Sequence, residues 1–403
     1  MRRLSLFVTA LLLACGEGST GPGAPITQLP RTLSSDERLL IERSTSFGFD
    51  LLGPLSADDP EANLFFSPLS ASMALGMTLN GAAGTTFDGM AGALGFGGLD
   101  ESAINQGYED LIGLLTGLDP VVDVRIANSV WARLGYPILG DFLDRVAEHF
   151  DATAEMVDFA APGTLARING WVSDGTGGKI PRMYDDLPPD LVVLLLNAVY
   201  FKADWTETFD RDDTRTEPFA TPGGPVHVPL MRREGTMSMY GDAGLSAVEL
   251  PYGGGAFSFV ALLPREGTSA GALARALDAE RWRGITEGLI ETEGTVVLPR
   301  FELAWEKQLN DVLIALGMDA AFDAARADFS RMVQNGGVYI DEVKQKSFIA
   351  VDEKGTEAAA ATGVAVLEAA ASPEIRFDRP FVFAIRERLS GTLLFLGVLN
   401  DPS

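Results

Sequence analysis

A single cysteine, Cys15, stands among 403 residues, so no disulfide can close within the chain and no cysteine-based metal site can be assembled. Histidine is almost as scarce. His149 and His227 are the only two, far apart and outside any metal-ligating or nucleophile-activating pattern, and they read as structural or surface residues. Positive charge is also in short supply, with 31 Lys and Arg against 56 Asp and Glu for a formal charge of −25. No Lys/Arg cluster interrupts that acidity, which argues against nucleic acid, heparin-like polyanions and anionic membrane surfaces as partners. The sequence has no G-x-S-x-G elbow, and "TGGK" at 176–179 lacks both the leading glycine and the trailing hydroxyl residue of a phosphate loop. An enzyme reading has little to stand on, and no cofactor is expected.

What is present begins at the amino end. Met1-Arg2-Arg3 is a short basic start, Leu4 to Ala14 is an apolar run, and "LLAC" closes it. That is the pattern of an export signal too short to span a bilayer. It resembles a bacterial lipoprotein signal with Cys15 as the lipidated residue, although Leu13 is not the commonest choice at its position and an ordinary cleaved signal fits as well. Residues 16–32, "GEGSTGPGAPITQLPRT", are rich in Gly, Pro, Ser and Thr and lack periodicity, so they read as a flexible tether. The folded part is expected from residue 33.

Beyond it, strands and helices are mixed without βαβ alternation and without a second linker, which predicts one large α+β domain. "SSDERLLIERSTSFGFDLL" has helical spacing with Ser35 or Asp36 as its cap, and "SPLSASMALGMTLNGAAG" starts with Ser67 as cap and Pro68 just inside. "DLVVLLLNAVYF" is apolar without alternation and suits a strand buried on both faces; its periodicity alone is equally that of a buried helix. "LSAVELPYGGGAFSFVALLP" reads as two strands around a glycine-rich turn and "TVVLPRFEL" as another strand. "SAGALARALDAERWRGITEGL" and "WEKQLNDVLIALG" read as helices, the latter closing at Gly317, and the final stretch from Arg379 as two strands around "LSG".

The stretch 353–372, "EKGTEAAAATGVAVLEAAAS", does not fit these surroundings. As a strand it places Thr356, Ala358, Ala360, Thr362, Val364 and Val366 on one face, all uncharged and small at the leading end. Such a face can slide into the middle of a sheet without clash. Alanine, however, is a strong helix former and a poor strand former. A conflict between local propensity and strand use is expected at functional sites.

These residues closely resemble the reactive-loop hinge of inhibitory serpins, serine protease inhibitors that trap their targets by loop insertion. The resemblance extends, in order, through "NLFFSPLSASMALGMTLNGAAGTT", "INGWVSDGTGGKI", "LLNAVYFKADW", "ELPYGGGAFSFVALLP", "LPRFEL", "DFSRM" and "RPFVFAIRERLSGTLLFLGVLNDP". It implies a serpin fold: a large central mixed β-sheet, additional sheets, about eight to nine helices and an exposed reactive-centre loop over about 353–374. It also implies a monomer that acts as a suicide substrate, forming a covalent complex with a serine protease. Loop insertion itself is a known mode of strand addition.

The resemblance assigns residues too. Glu353, Lys354, Gly355, Thr356, Glu357, Ala358, Ala359, Ala360, Ala361 and Thr362 form the hinge, with Gly355 expected to supply the turn from strand to loop. Counting sixteen positions on from Glu353, or eleven back from Pro380, puts the reactive bond at Ala369-Ala370. Val366, Leu367 and Glu368 flank it. Alanine suits a shallow specificity pocket, so elastase-like or subtilisin-like proteases are expected; slippage to Leu367 would suit chymotrypsin-like enzymes, and Glu368 a glutamate-specific one. Ser67, Ser70 and Asn197 match a polar cluster that controls opening of the sheet, with Gln345 where many members have histidine. Trp205 and Arg300 match the region where the hinge enters, with an ion pair expected between Arg300 and Glu353. "ESAINQGYEDLIGLL" is acidic where heparin-activated relatives are basic, so no polyanion cofactor is expected.

Two further readings compete: a non-inhibitory serpin that is cleaved or binds a partner without trapping, and a secreted hydrolase, against which the missing histidine constellation argues. The amino end carries its own test. If Cys15 is the lipidated residue, Cys15→Ser moves the exported protein from the membrane fraction to the soluble fraction of its cell; unchanged membrane retention contradicts the anchor.

Overall fold

The computed structural model describes residues 25–188, 190–356 and 373–403, and these form two sheets with helices packed around them. The first helix, α1 (Ser35–Asp58), is capped by Ser34, one residue before the expected cap. Ser34 Oγ accepts from Glu37 N–H and the Glu37 carboxylate accepts from Ser34 N–H, a reciprocal arrangement that satisfies two otherwise orphaned donors. Strand β1 (Leu64–Phe66) leads into α2 (Pro68–Leu79), where Ser67 Oγ accepts from Ser70 N–H and Pro68 occupies the first turn. Helices α3 (Gly84–Ala93) and α4 (Glu101–Gly117) follow, then β2 (Asp123–Arg133), α5 (Gly140–Phe150), β3 (Ala152–Val157), α6 (Thr164–Gly175) and β4 (Val193–Asp204).

The next segment is β-rich: β5 (Arg215–Thr221), β6 (Gly224–Gly241), β7 (Leu245–Tyr252) and β8 (Phe257–Pro264). The helical run expected from residue 269 breaks into α7 (Ala270–Ala276) and α8 (Ala279–Glu287), because Leu277 is extended and Asp278 starts a new helix by accepting from Arg281 N–H. The single strand expected at "TVVLPRFEL" is also two, β9 (Ile290–Pro299) and β10 (Phe301–Gln308), which lie in different sheets with Arg300 at the corner. β10 takes in Trp305–Gln308, so the helix expected from Trp305 starts only at Asn310; this broken run, α9, spans 310–322 and is interrupted where Gly317 adopts φ 107°. The chain ends with β11 (Lys344–Val351), β12 (Gly355–Thr356), β13 (Glu374–Arg376), β14 (Phe381–Glu387) and β15 (Leu393–Leu399).

One sheet has the order β10-β11-β12-β4-β2-β3; the other runs β1-β15-β14-β8-β7-β6-β9-β13, with β5 on β6. With the helices around them, the two sheets form an α+β serpin fold, as expected from the resemblance. The main core lies between the sheets and under α1 and α2, where strands β8, β14 and β15 are buried at every position. β4, read from its sequence as a strand between two covered faces, has α2 against it and α6 against it as well. A smaller cluster under α6 joins Trp131, Ile168, Val172 and Leu196.

The stretch read as a tether is held down over its described part. Ile26 N–H donates to Gly254 O (2.8 Å), Ile26 and Leu29 pack on the core, and Arg31 forks onto the buried Glu37 carboxylate at 2.6 and 2.8 Å. Ile26 and Leu29 supply large apolar side chains that the Gly/Pro-rich composition conceals. Cys15 lies outside the described residues.

Candidate functional site

The described part of the hinge is built by a tight turn. After β11, the Asp352 carboxylate accepts from the N–H groups of Lys354 (2.8 Å) and Gly355 (3.2 Å), and Asp352 N–H donates to Gly355 O (2.9 Å). An aspartate that binds its own backbone two residues on is the local signal for such a reversal, and "DEKG" carries it. The turn therefore belongs to Asp352, and not to Gly355 as expected. Gly355 is required for a different reason: a Cβ there would stand 2.1 Å from Ala203 O and 2.6 Å from Asp204 Cα.

The reversed chain enters the sheet as β12. Thr356 is opposite Val351 of β11 on one side, while Gly355 and Thr356 are opposite Asp204 and Ala203 of β4 on the other. Trp205 N–H donates to Lys354 O (2.6 Å), Phe209 N–H to Glu353 O (2.7 Å) and Trp205 Nε1 to Asp352 O (2.9 Å). The Trp205 ring stacks on Tyr252 at 4.4 Å, and Tyr252 Oη lies 2.7 Å from Thr356 Oγ1. Tyr252 had no signal in the sequence beyond being an aromatic at a strand end.

Below β12, β4 and β11 have no ladder with each other among the described residues. Each strand is fully laddered on its other side, β4 to β2 and β11 to β10, and a slot lies between them beside Val199, Phe201 and Ser347–Ala350. Val199 and Phe201 line one wall and Ser347 and Ile349 the other, with Phe65, Ile385 and Phe395 at the core end and Thr176, Lys179 and Ile180 at the outer end. That outer connection after α6 reaches β11: Lys346 Nζ donates to Arg182 O (2.9 Å), and Lys179 Nζ lies 4.7 Å from the Phe348 ring centroid.

Glu353 is buried, with 3% of its side chain exposed. Its Oε1 accepts from Thr214 Oγ1 at 3.0 Å and lies 3.9 Å from Arg300 Nη1, while Arg211 Nε is 4.0 Å from Oε2, which lacks a hydrogen-bond partner. Both guanidinium groups are half exposed, so each ion pair is long and screened, and the short bond to Thr214 fixes the carboxylate. Nearby, burial pulls the Arg233 guanidinium below its ordinary pKa; it stacks on Phe209 at 5.7 Å. Thr214 and Arg211 were not anticipated from the sequence, since they lie far from the hinge along the chain.

The four residues matched to the sheet-opening cluster separate into two groups. Gln345 of β11 binds both backbone groups of Ser67, accepting from its N–H (3.1 Å) and donating to its carbonyl (2.8 Å). Ser67 Oγ donates to Leu394 O (2.7 Å), and Ser70 joins through its backbone N–H. Asn197 of β4 is not part of this cluster. Its amide donates to Asn128 Oδ1 (2.8 Å) and contacts Met73 Sδ (3.7 Å), while its Oδ1 is buried without a partner. The reason is its register: Asn197 stands directly opposite Asn128 of β2, whose side chain takes its amide. The two histidines are apart, His149 beside Glu109 on the surface and His227 exposed in β6. Hinge residues Glu357, Ala358, Ala359, Ala360, Ala361 and Thr362, flank residues Val366, Leu367 and Glu368, and the bond Ala369-Ala370 lie outside the described residues.

A family model described as "Serpin (serine protease inhibitor)" matches residues 42–402. An uncharacterized serpin-like protein of Thermococcus kodakarensis is 34% identical, with 100% of this chain and 99% of that protein covered. Leukocyte elastase inhibitor of Bos taurus is 35% identical over 90% of this chain and 99% of its own length. Among solved structures, the thermophilic serpin tengpin in its native state superposes with a TM-score of 0.83 at 28% identity, covering 94% of this chain and 97% of that one.

The geometry at Gly355 yields a direct test. Gly355→Val places a side chain against main chain that no rotamer change can clear, at a cost on the order of 1–3 kcal/mol. The expected outcome is expulsion of β12 and loss of hydrogen-exchange protection at the Trp205 indole N–H. A variant that keeps that protection contradicts the seating described above.

Proposed function

The chain belongs to the serpin family, and from that premise we propose that it is a suicide inhibitor of serine endopeptidases of the elastase-like or subtilisin-like class. The observation that carries this reading is the first part of the hinge: Gly355 and Thr356 stand between β4 and β11, and below them β4 and β11 have no ladder with each other among the described residues. The small, uncharged face of the residues that follow is suited to continue that strand. Similarity to leukocyte elastase inhibitor favours a target that accepts alanine.

The chemistry is supplied by the protease. Its serine hydroxyl attacks the carbonyl of Ala369, the amide bond to Ala370 breaks, the Ala370 amine departs with a proton, and an ester joins the serine to Ala369. The freed hinge then extends β12 downward between β4 and β11. For this to happen the 176–182 connection must give up its hold on β11, including the Lys346 to Arg182 bond. A strand of about a dozen residues gains ladder bonds of roughly 1 kcal/mol each, so insertion releases on the order of 10 kcal/mol, withheld before cleavage by a kinetic barrier. Trapping requires that insertion outrun hydrolysis of the ester. The inhibitor is exported by its amino-terminal signal and acts outside the cytoplasm, at a membrane if Cys15 is lipidated and released from it if the signal is simply cleaved.

The test is to mix the mature protein with a pancreatic-type elastase and, separately, with subtilisin. The expected products are a complex that survives boiling in detergent and a released peptide running from Ala370 to Ser403, 34 residues by the numbering. Clean cleavage with the protease still active overturns the inhibitory reading and favours a serpin that is cleaved or binds a partner without trapping.

A further inference from the structure

We propose that the amino-terminal strap, residues 25–29, is a positioning element for the hinge: by seating Ile26 on the turn between β7 and β8, it holds Tyr252 where its hydroxyl fixes Thr356. The strap lies outside the stretch matched by the family model, which begins at residue 42. Its effect on hinge seating stands on geometry alone. Its effect on trapping rests on the function proposed above.

The seat exists because two side chains are missing. A Cβ on Gly254 would stand 3.1 Å from Ile26 Cδ1 and 3.2 Å from Asp119 Oδ2, and a Cβ on Gly253 would meet Val122 Cγ2 at 2.7 Å. Gly253 also has φ 52°, a conformation that glycine adopts without penalty. Into this seat Ile26 N–H donates, to Gly254 O at 2.8 Å. Asp119, with only 4% exposed, takes the turn from the other side, its Oδ2 accepting from Gly254 N–H at 2.8 Å and its Oδ1 from Val121 N–H at 3.2 Å.

From the turn the contacts run straight to the hinge. Gly253 N–H donates to Asp204 O (2.9 Å), and Asp204 is the residue opposite Gly355 in the sheet. Thr206 Oγ1 donates to Gly253 O (2.9 Å) and Thr206 N–H to Pro251 O (2.8 Å), which ties the end of β4 to the end of β7. Between these bonds sits Tyr252, fully buried, stacked on Trp205 and 2.7 Å from Thr356 Oγ1. Three residues, Gly254, Gly253 and Tyr252, therefore separate the strap from the first inserted residues, and each step is a hydrogen bond or a peptide bond. Displacing Ile26 uncovers the turn and frees Tyr252 to move away from Thr356.

The experiment compares full-length mature protein with the variants Ile26→Asp and Thr27→Asp, which add the same charge at adjacent positions; Thr27 is exposed. Hydrogen exchange is followed by mass spectrometry in peptides covering 25–30, 200–209 and 351–356. The expected result is exchange at least tenfold faster in all three regions for Ile26→Asp, and no change at 200–209 or 351–356 for Thr27→Asp. Faster exchange confined to 25–30 overturns the proposal, since the strap would then have been released without effect on the hinge. Should Ile26→Asp fail to fold, Ile26→Ala is read by the same criteria. Trapping by subtilisin is measured on the same samples. Altered exchange in Ile26→Asp with no trapping by any sample, wild type included, supports the strap and counts against the inhibitory reading alone.

Discussion

Everything distinctive in this molecule follows from one interruption: between β4 and β11 the central sheet is bridged by two residues, Gly355 and Thr356, and below them the strands do not pair among the described residues. Buried backbone groups are strongly driven to find partners, and a sheet edge is a template on which a further strand can pair. The surrounding structure answers to that condition. The connection after α6 spans the outer end of the slot, and aromatic side chains from β1 and β15 close the inner end. Asn197 and Gln345, on strands β4 and β11, both reach α2, Asn197 at Met73 and Gln345 at the cap residue Ser67.

Entry of the hinge is governed by backbone hydrogen bonds more than by charge. The Arg300 pair with Glu353 is present at 3.9 Å, yet it and the Arg211 pair are long and half exposed, whereas Trp205, Phe209 and Thr214 hold the turn with bonds of 2.6 to 3.0 Å. This division suits the release that the proposed insertion requires. Screened ion pairs bias where the hinge rests without fixing it, because exposed pairs contribute on the order of 1 kcal/mol or less. The geometric constraint is stricter: at 2.1 Å from a carbonyl oxygen, position 355 admits no side chain at all.

Much of this was legible in the sequence. Helix α2 announces itself by Ser67-Pro68, the β7–β8 pair by its glycine turn, and the hinge by a run of small residues that serves no ordinary core. The misreadings have physical causes. "TVVLPRFEL" is continuous in β propensity, and nothing local tells that Arg300 turns the chain from one sheet into the other. Trp305–Gln308 has helical spacing, but its register opposite Lys344–Ser347 in the sheet overrides propensity. Asn197 and Gln345 belong to the same motif set in sequence, and only the tertiary structure reveals that they bind different partners. Thr214, Arg211, Tyr252 and Ile26 were invisible for a common reason: each acts on the hinge across a large sequence separation, where neither periodicity nor turn chemistry leaves a mark.

The central claim is that the intact fold withholds a strand from its own sheet, and it is tested most directly by thermal unfolding before and after the loop is cut, within 357–372, by a protease that forms no acyl-enzyme. If the cut loop completes the sheet, about 10 kcal/mol of ladder bonding becomes available, and at roughly 1 °C per kcal/mol for a domain of this size the midpoint rises by about 10 °C or more. A cut protein that unfolds at the same temperature as the intact one, or below it, would contradict the account, because the slot would then have no strand to receive.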